Sequence, residues 1–105
     1  MGNSMEPIHI EHTADTTHVV LEAALGIRDA RTLHEKLNTV LAAATAVVLE
    51  GSRVERLDAA AMQVLAGFAR AARERGLALT WKNPSPVLQQ AARVLGFETI
   101  LEMAS

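Results

Sequence analysis

Three carboxylates, Glu50, Glu55 and Asp58, crowd one short stretch of this chain. A pair of acids can do general acid–base work when their surroundings split their pKa values. Nothing in the sequence joins them in such a role. There is no Ser/His/Asp order, no glycine-flanked nucleophilic serine and no glycine-rich cofactor fingerprint. Asp58 has a simpler use. It stands immediately before Ala59-Ala60-Ala61 and an amphipathic run. An aspartate at that point caps a helix by accepting hydrogen bonds from its orphaned N–H groups. Its charge also suits the positive end of the helix dipole. Glu50 falls at the carboxyl end of a strand pattern, where α/β sheets gather functional groups, and is left open between partner contact and no role. The nearby hydroxyls, Ser52 and Thr45, suit backbone-bonding turn and strand-start residues.

The histidines are His9, His12, His18 and His34. His9 and His12 are three apart on an alternating stretch, so they point to opposite faces of a strand and do not form a metal pair. No third ligand stands near them in sequence, and no metal site is expected. The absence of cysteine removes disulfides, thiol chemistry and thiolate metal sites, and agrees with a cytoplasmic location. Only Phe68, Trp81 and Phe97 are aromatic, too few for stacking on bases. A formal net charge of −2 with acids and bases interspersed implies no nucleic-acid face. The N-terminal residues lack a signal-peptide layout, and no apolar run approaches membrane-spanning length. No cofactor and no enzymatic activity are expected.

The elements that must position these residues follow from periodicity. The 105-residue chain suits one domain, with residues 1–6 a disordered terminus and 7–105 a single unit. Ile8 to His12 alternates as an edge strand; Val19-Val20-Leu21 restarts a strand after a turn, forming a hairpin. Ala30, Leu33, Leu37, Val40 and Leu41 share one face of a first helix. Ala46-Val47-Val48-Leu49 reads as a strand covered on both faces. A second helix runs from about Asp58 to Arg75, with Ala61, Val64, Leu65, Phe68 and Ala72 inward. Ala59, Gln63, Ala66, Arg70 and Arg73 are expected to face solvent. Gly76 stops this helix. Leu77 to Trp81 is a strand, with Trp81 as packing. Ser85 caps a third helix with Pro86 at its first position, and Gly96 ends it. Phe97, Ile100, Leu101 and Met103 make a last short amphipathic turn. Helical crossovers imply parallel neighbours. The fold class is α/β: a mixed, mostly parallel four-stranded sheet with helices packed on it.

This order, with Leu49-Glu50-Gly51-Ser52-Arg53-Val54-Glu55-Arg56-Leu57-Asp58 and Asn83-Pro84-Ser85-Pro86, resembles the STAS domain of bacterial anti-sigma-factor antagonists and sulfate-transporter tails. The resemblance spans about Ile8 to Met103. Within the family the chain looks most like short stand-alone members encoded with chemotaxis components. In the family the Asp matching Asp58 is typically followed by a phosphorylatable Ser or Thr, a small residue and Gly. Here those positions are Ala59, Ala60 and Ala61, and alanine has no oxygen to phosphorylate. The resemblance also implies nucleotide binding in some relatives, but no glycine-rich phosphate loop occurs here.

Helix propensity alone accounts for Ala60 and Ala61. At the exposed Ala59 two readings stand: a good helix former, or a flat apolar spot on a docking surface. The expected partner surface comprises Asp58, Ala59, Met62, Gln63 and Ala66, with Ser52, Arg53, Glu55, Arg56 and Arg70 around them. The resemblance implies a cytoplasmic signalling partner, either a kinase-type anti-sigma factor or a chemotaxis component. The alternative is an accessory subunit on the ATPase of a lipid-transporting ABC complex. The edge strand at Ile8–Ile10 could pair with a second copy.

Overall fold

Alternation builds the first hairpin. The computed structural model describes residues 6–43 and 46–96. Strand β1 (Ile8–His12) runs antiparallel to β2 (Thr17–Leu21), with Ile8 opposite Leu21 and His12 opposite Thr17. Thr17, Val19 and Leu21 point inward and are buried. A two-residue strand, β3 (Ala24–Leu25), and a 3₁₀ turn (Ile27–Asp29) lead into α1 (Ala30–Ala43). Then follow β4 (Ala46–Glu50), β5 (Arg56–Leu57), α2 (Ala59–Glu74), β6 (Ala78–Lys82) and α3 (Pro86–Leu95).

The main sheet has the order β1-β2-β4-β6. β4 pairs in parallel with both β2 and β6, and only the hairpin is antiparallel, as the helical crossovers require. The mixed, mostly parallel four-stranded sheet expected from the sequence is therefore present. The short parallel pair β3–β5, with Leu25 opposite Leu57, was not anticipated.

Register sorts the sheet into two faces. Thr17, Val47 and Leu79 form one row, and Val19, Leu49 and Trp81 the next. Val19, Val47 and Leu49 are buried in one core with Leu33, Leu37, Met62, Leu65, Phe68 and Leu88 from the three helices. The opposite face carries Val20, Glu50 and Lys82 in one row and His18, Val48 and Thr80 in another, each half-buried or exposed. This corrects the expectation that β4 is covered on both faces. A strand's side chains alternate, so Val48 points away from the core that takes Val47 and Leu49.

On α1, Leu33, Leu37, Val40 and Leu41 are buried while Arg31, His34, Glu35 and Asn38 are exposed, as their spacing predicts. Gly76 and Gly96 both end helices with positive φ, at 74° and 77°. Of the expected N-terminal tail only Glu6 is described; it is exposed and pairs with Lys36 at 3.0 Å. Thr45 and the apolar turn at Phe97, Ile100, Leu101 and Met103 lie outside the described residues.

Candidate functional site

The second helix begins as its sequence dictates. Asp58 sits in extended conformation and its carboxylate accepts from the Ala61 N–H at 3.3 Å. The Asp58 carbonyl accepts from Met62 at 3.1 Å, and the Asp58 N–H donates to Leu25 at 3.1 Å. The cap is thus tied to the neighbouring β3 as well as to its own helix. At the third helix the same chemistry recurs: the Ser85 hydroxyl accepts from the Leu88 N–H at 3.1 Å, with Pro86 in the first turn.

The turn between β4 and α2 is pinned from three sides. Ala23 accepts from both the Glu55 and Arg56 N–H groups, at 2.8 and 2.9 Å. Gly51 donates to Lys82 at 3.1 Å and accepts from Ser85 at 3.0 Å. Gly51 also marks a close approach. A Cβ there would meet Leu88 Cδ2 at 2.6 Å, Pro84 Cα at 3.4 Å and Trp81 Cζ3 at 3.5 Å. Arg53 reaches back to Glu22 at 3.2 Å, and His9 contacts the same carboxylate. Glu50 accepts from the Ser52 N–H at 3.2 Å. The Ser52 side chain holds the Glu50 carboxyl below its ordinary pKa. Partial burial opposes this shift, while the Ser52 backbone, the Lys82 charge and Asn83 add to it.

Three consecutive residues at the start of α2 open onto three different hollows. Asp58 lines one of about 470 Å³ with Leu25, Gly26, Arg28, Asp29 and Arg56. Ala59 lines a second of about 600 Å³ with Pro86, Val87, Gln90, Ala91, Val94 and Leu95. Ala60 lines a third of about 420 Å³ between α1 and α2, which includes His34, Asn38, Gln63 and Gly67. Small side chains at 59 and 60 keep the second and third open.

The sequence-selected residues divide clearly. Ser52, Arg53, Glu55, Arg56, Asp58, Ala59, Gln63 and Arg70 are exposed, and the first six belong to one turn and helix start. Met62 and Ala66 are not on this surface. Met62 is 0% exposed and Ala66 3%. The reason is that α2 touches α1, α3 and β6 at once, which leaves a solvent strip narrower than helical spacing alone suggests. Ala61 is buried as expected. Sequence reasoning missed Arg28 and Asp29 beside the cap, and Val87 and Val94 beside Ala59. Val87, Ala91 and Val94 recur at i, i+4 and i+7, a stripe that could have signalled a second apolar face on α3. Among the described residues no group of His, Asp and Glu could hold a metal ion, and no helix is long and apolar enough to cross a membrane.

The family model described as "Mlab, STAS domain" matches residues 8–102. Among solved structures, the unphosphorylated anti-sigma factor antagonist SpoIIAA is similar at TM-score 0.73 and 16% identity, covering 93% of this chain and 99% of that one. The phosphorylated form of the Bacillus cell fate determinant SpoIIAA gives 0.72 and 19%, over 88% and 86% of the two chains. An anti-sigma factor antagonist from Mycobacterium paratuberculosis gives 0.70 and 19%, over 88% and 79%. At these identities the likeness is one of fold. Among curated proteins none matches the chain.

Proposed function

Because the chain belongs to the STAS domain family, we propose that it is a non-catalytic docking module of bacterial signalling, resembling an anti-sigma-factor antagonist without its phosphate acceptor. The observation that carries this reading is the start of α2. Asp58, Ala59 and Ala60 each open onto a separate hollow, and exposed Ser52, Arg53, Glu55 and Arg56 lie beside them. Such a surface offers a small apolar centre with a polar rim, the usual anatomy of a protein interface. Ala59 stands where the family carries its Ser or Thr, so phosphorylation at this position does not gate the surface. Control then falls to expression, to competition between partners, or to modification of the partner. The partner this reading favours is a cytoplasmic signalling protein, a kinase-type anti-sigma factor or a chemotaxis component.

A second reading draws on the same alanine. A position that cannot be switched suits a standing interface, such as an accessory subunit held on the ATPase of a lipid-transporting ABC complex. Obligate interfaces are large and stable, whereas signalling contacts form and dissolve.

The test compares capture of native partners by the wild-type chain and by Ala59→Glu and Gln63→Ala. A glutamate in the first turn suits the helix dipole, so Ala59→Glu keeps its fold. The expected result is a partner retained by the wild type and lost or weakened at least tenfold by Ala59→Glu. Identical capture by all three chains overturns the docking site. The identity of the retained protein, a signalling protein or an ATPase, decides between the two readings.

A further inference from the structure

Strand β1 stands at one end of the sheet and pairs with β2, so its other side is an open edge. The chain leaves that edge unguarded. Ile8–His12 holds no proline and no lysine, and its register against β2 runs without a bulge. Those are the devices that usually keep an edge strand from pairing with another chain. Ile10 adds a half-buried aliphatic side chain at the same margin.

Hydrogen bonds at the two ends of the hairpin fix which backbone groups face outward. The Glu22 N–H donates to the Pro7 carbonyl and the Thr13 N–H to the Thr16 carbonyl, each at 2.9 Å. Direction alternates from residue to residue along an antiparallel strand. In this register His9 and Glu11 therefore direct their backbone groups to β2, while Ile8, Ile10 and His12 turn theirs to the open side.

The side chains of β1 match one partner, a second copy of the same strand. Antiparallel pairing centred on Ile10 uses the whole strand and meets outward groups with outward groups. Ile10 faces Ile10, and Ile8 faces His12. The same register sets His9 opposite Glu11 on both sides of the axis, in the closer, non-hydrogen-bonded positions. Both side chains are exposed. His9 contacts Glu22, whereas the Glu11 carboxylate has no hydrogen-bond or ion-pair partner among the described residues. A slip of two residues is the smallest that keeps the outward groups aligned. It sets His9 opposite His9 or Glu11 opposite Glu11, and so loses the complementarity. Strand β6, at the other end of the sheet, lacks this property. Paired with itself about Thr80, it sets Lys82 opposite Ala78 and brings no opposite charges together.

We propose that the chain forms a two-fold homodimer through β1, with Ile10 on the axis and His9 of each copy against Glu11 of the other. The pairing is isologous and closes at two copies. It joins two four-stranded sheets edge to edge, with both helix layers on the same side because the axis stands perpendicular to the sheet. The start of α2 follows β4 and is no part of this edge, so the dimer does not depend on the docking reading.

Sedimentation velocity over a concentration series tests the proposal, with Glu11→Lys as the variant. Glu11 is exposed, so the substitution keeps the fold, which circular dichroism checks. It sets lysine opposite His9 twice and should raise the dimer dissociation constant roughly tenfold or more. A wild-type chain that stays monomeric at millimolar concentration overturns the proposal, as does an unchanged constant in Glu11→Lys. NMR of the wild type, with isotope-labelled and unlabelled chains mixed, reads the register directly. A filtered NOE between His9 Hα of one copy and Glu11 Hα of the other is expected, because such partners bring their Cα atoms to about 4.5 Å. Intermolecular NOEs centred on β6, on His18 and Val48 of the open sheet face, or on Val87 and Val94 assign a different interface and overturn it. None of these readouts needs a partner protein, so their failure is distinct from that of the Ala59→Glu capture.

Discussion

Replacing Gly51 by alanine should loosen the joint that holds the candidate surface together. Gly51 follows β4, opens the turn that carries Ser52 to Arg56, and bonds to both Lys82 and Ser85. Its backbone is not in the left-handed region, so the glycine is needed for space and not for conformation. The new Cβ would lie 2.6 Å from Leu88 Cδ2, well inside contact distance, with Pro84 Cα at 3.4 Å behind it. Leu88 is fully buried, so its side chain must shift within a packed core to admit the new Cβ. Overpacking of this kind costs about 1–3 kcal/mol. The loss of chain entropy in the unfolded state returns about 0.4–1 kcal/mol. The midpoints of these ranges leave a net expected loss of about 1.3 kcal/mol, or a fall in Tm of roughly 5–10 °C for a domain of this size. Urea unfolding followed by circular dichroism measures it. A double-mutant cycle isolates the cause. Leu88→Ala alone is costly, about 2–5 kcal/mol, but it removes the atom that clashes. In that background Gly51→Ala should cost less than about 0.5 kcal/mol. A Gly51→Ala penalty that is absent in the parent, or undiminished beside Leu88→Ala, would refute the steric argument.

Asp58→Ala removes the cap on Ala61 and should cost about 0.5–2 kcal/mol in urea unfolding, while Asp58→Asn retains most of it. Met62→Ala should lose about 2–5 kcal/mol because Met62 is buried, whereas exposed Gln63→Ala should stay within about 0.5 kcal/mol in the same assay. The Glu50 carboxyl, held down chiefly by the Ser52 side chain, should titrate by NMR below an ordinary glutamate, and Ser52→Ala should raise its midpoint. Since its folded pKa is depressed, the stability it contributes is full above the ordinary glutamate value. That contribution is lost as pH falls through the lower folded value.

The parts of the site built from neighbouring residues were legible in the sequence. Asp58 before an alanine run and Ser85 before Pro86 are caps because a side-chain oxygen reaches an N–H three residues on, wherever the helix lies in the fold. The glycine stops, the hairpin and the inward faces of α1 and α2 follow from periods of about two and 3.6 residues in the same local way. The exposure of Ala59 and Gln63 belongs with them. Met62 and Ala66 do not, because whether a flank of α2 meets water depends on how α1, α3 and β6 are arranged around it. β4 shows the same division. Its strand character was evident from Val47-Val48-Leu49, but which face would be covered was not.

The sequence by itself determined the order of the four main strands and three helices, the parallel crossovers, the capped start of α2 and the methyl group at position 59. Each of these depends on residue types and spacings within a few turns of chain. Only the tertiary structure decided that Asp58, Ala59 and Ala60 would open onto three hollows, that Gly51 would lie under Leu88, and that Val87 and Val94 would stand exposed beside Ala59. Those features come from the approach of segments far apart in the chain, as Gly51 is from Leu88 and Ala59 from Val94. That approach is governed by which surfaces the packed core leaves uncovered, not by any run of neighbouring residues.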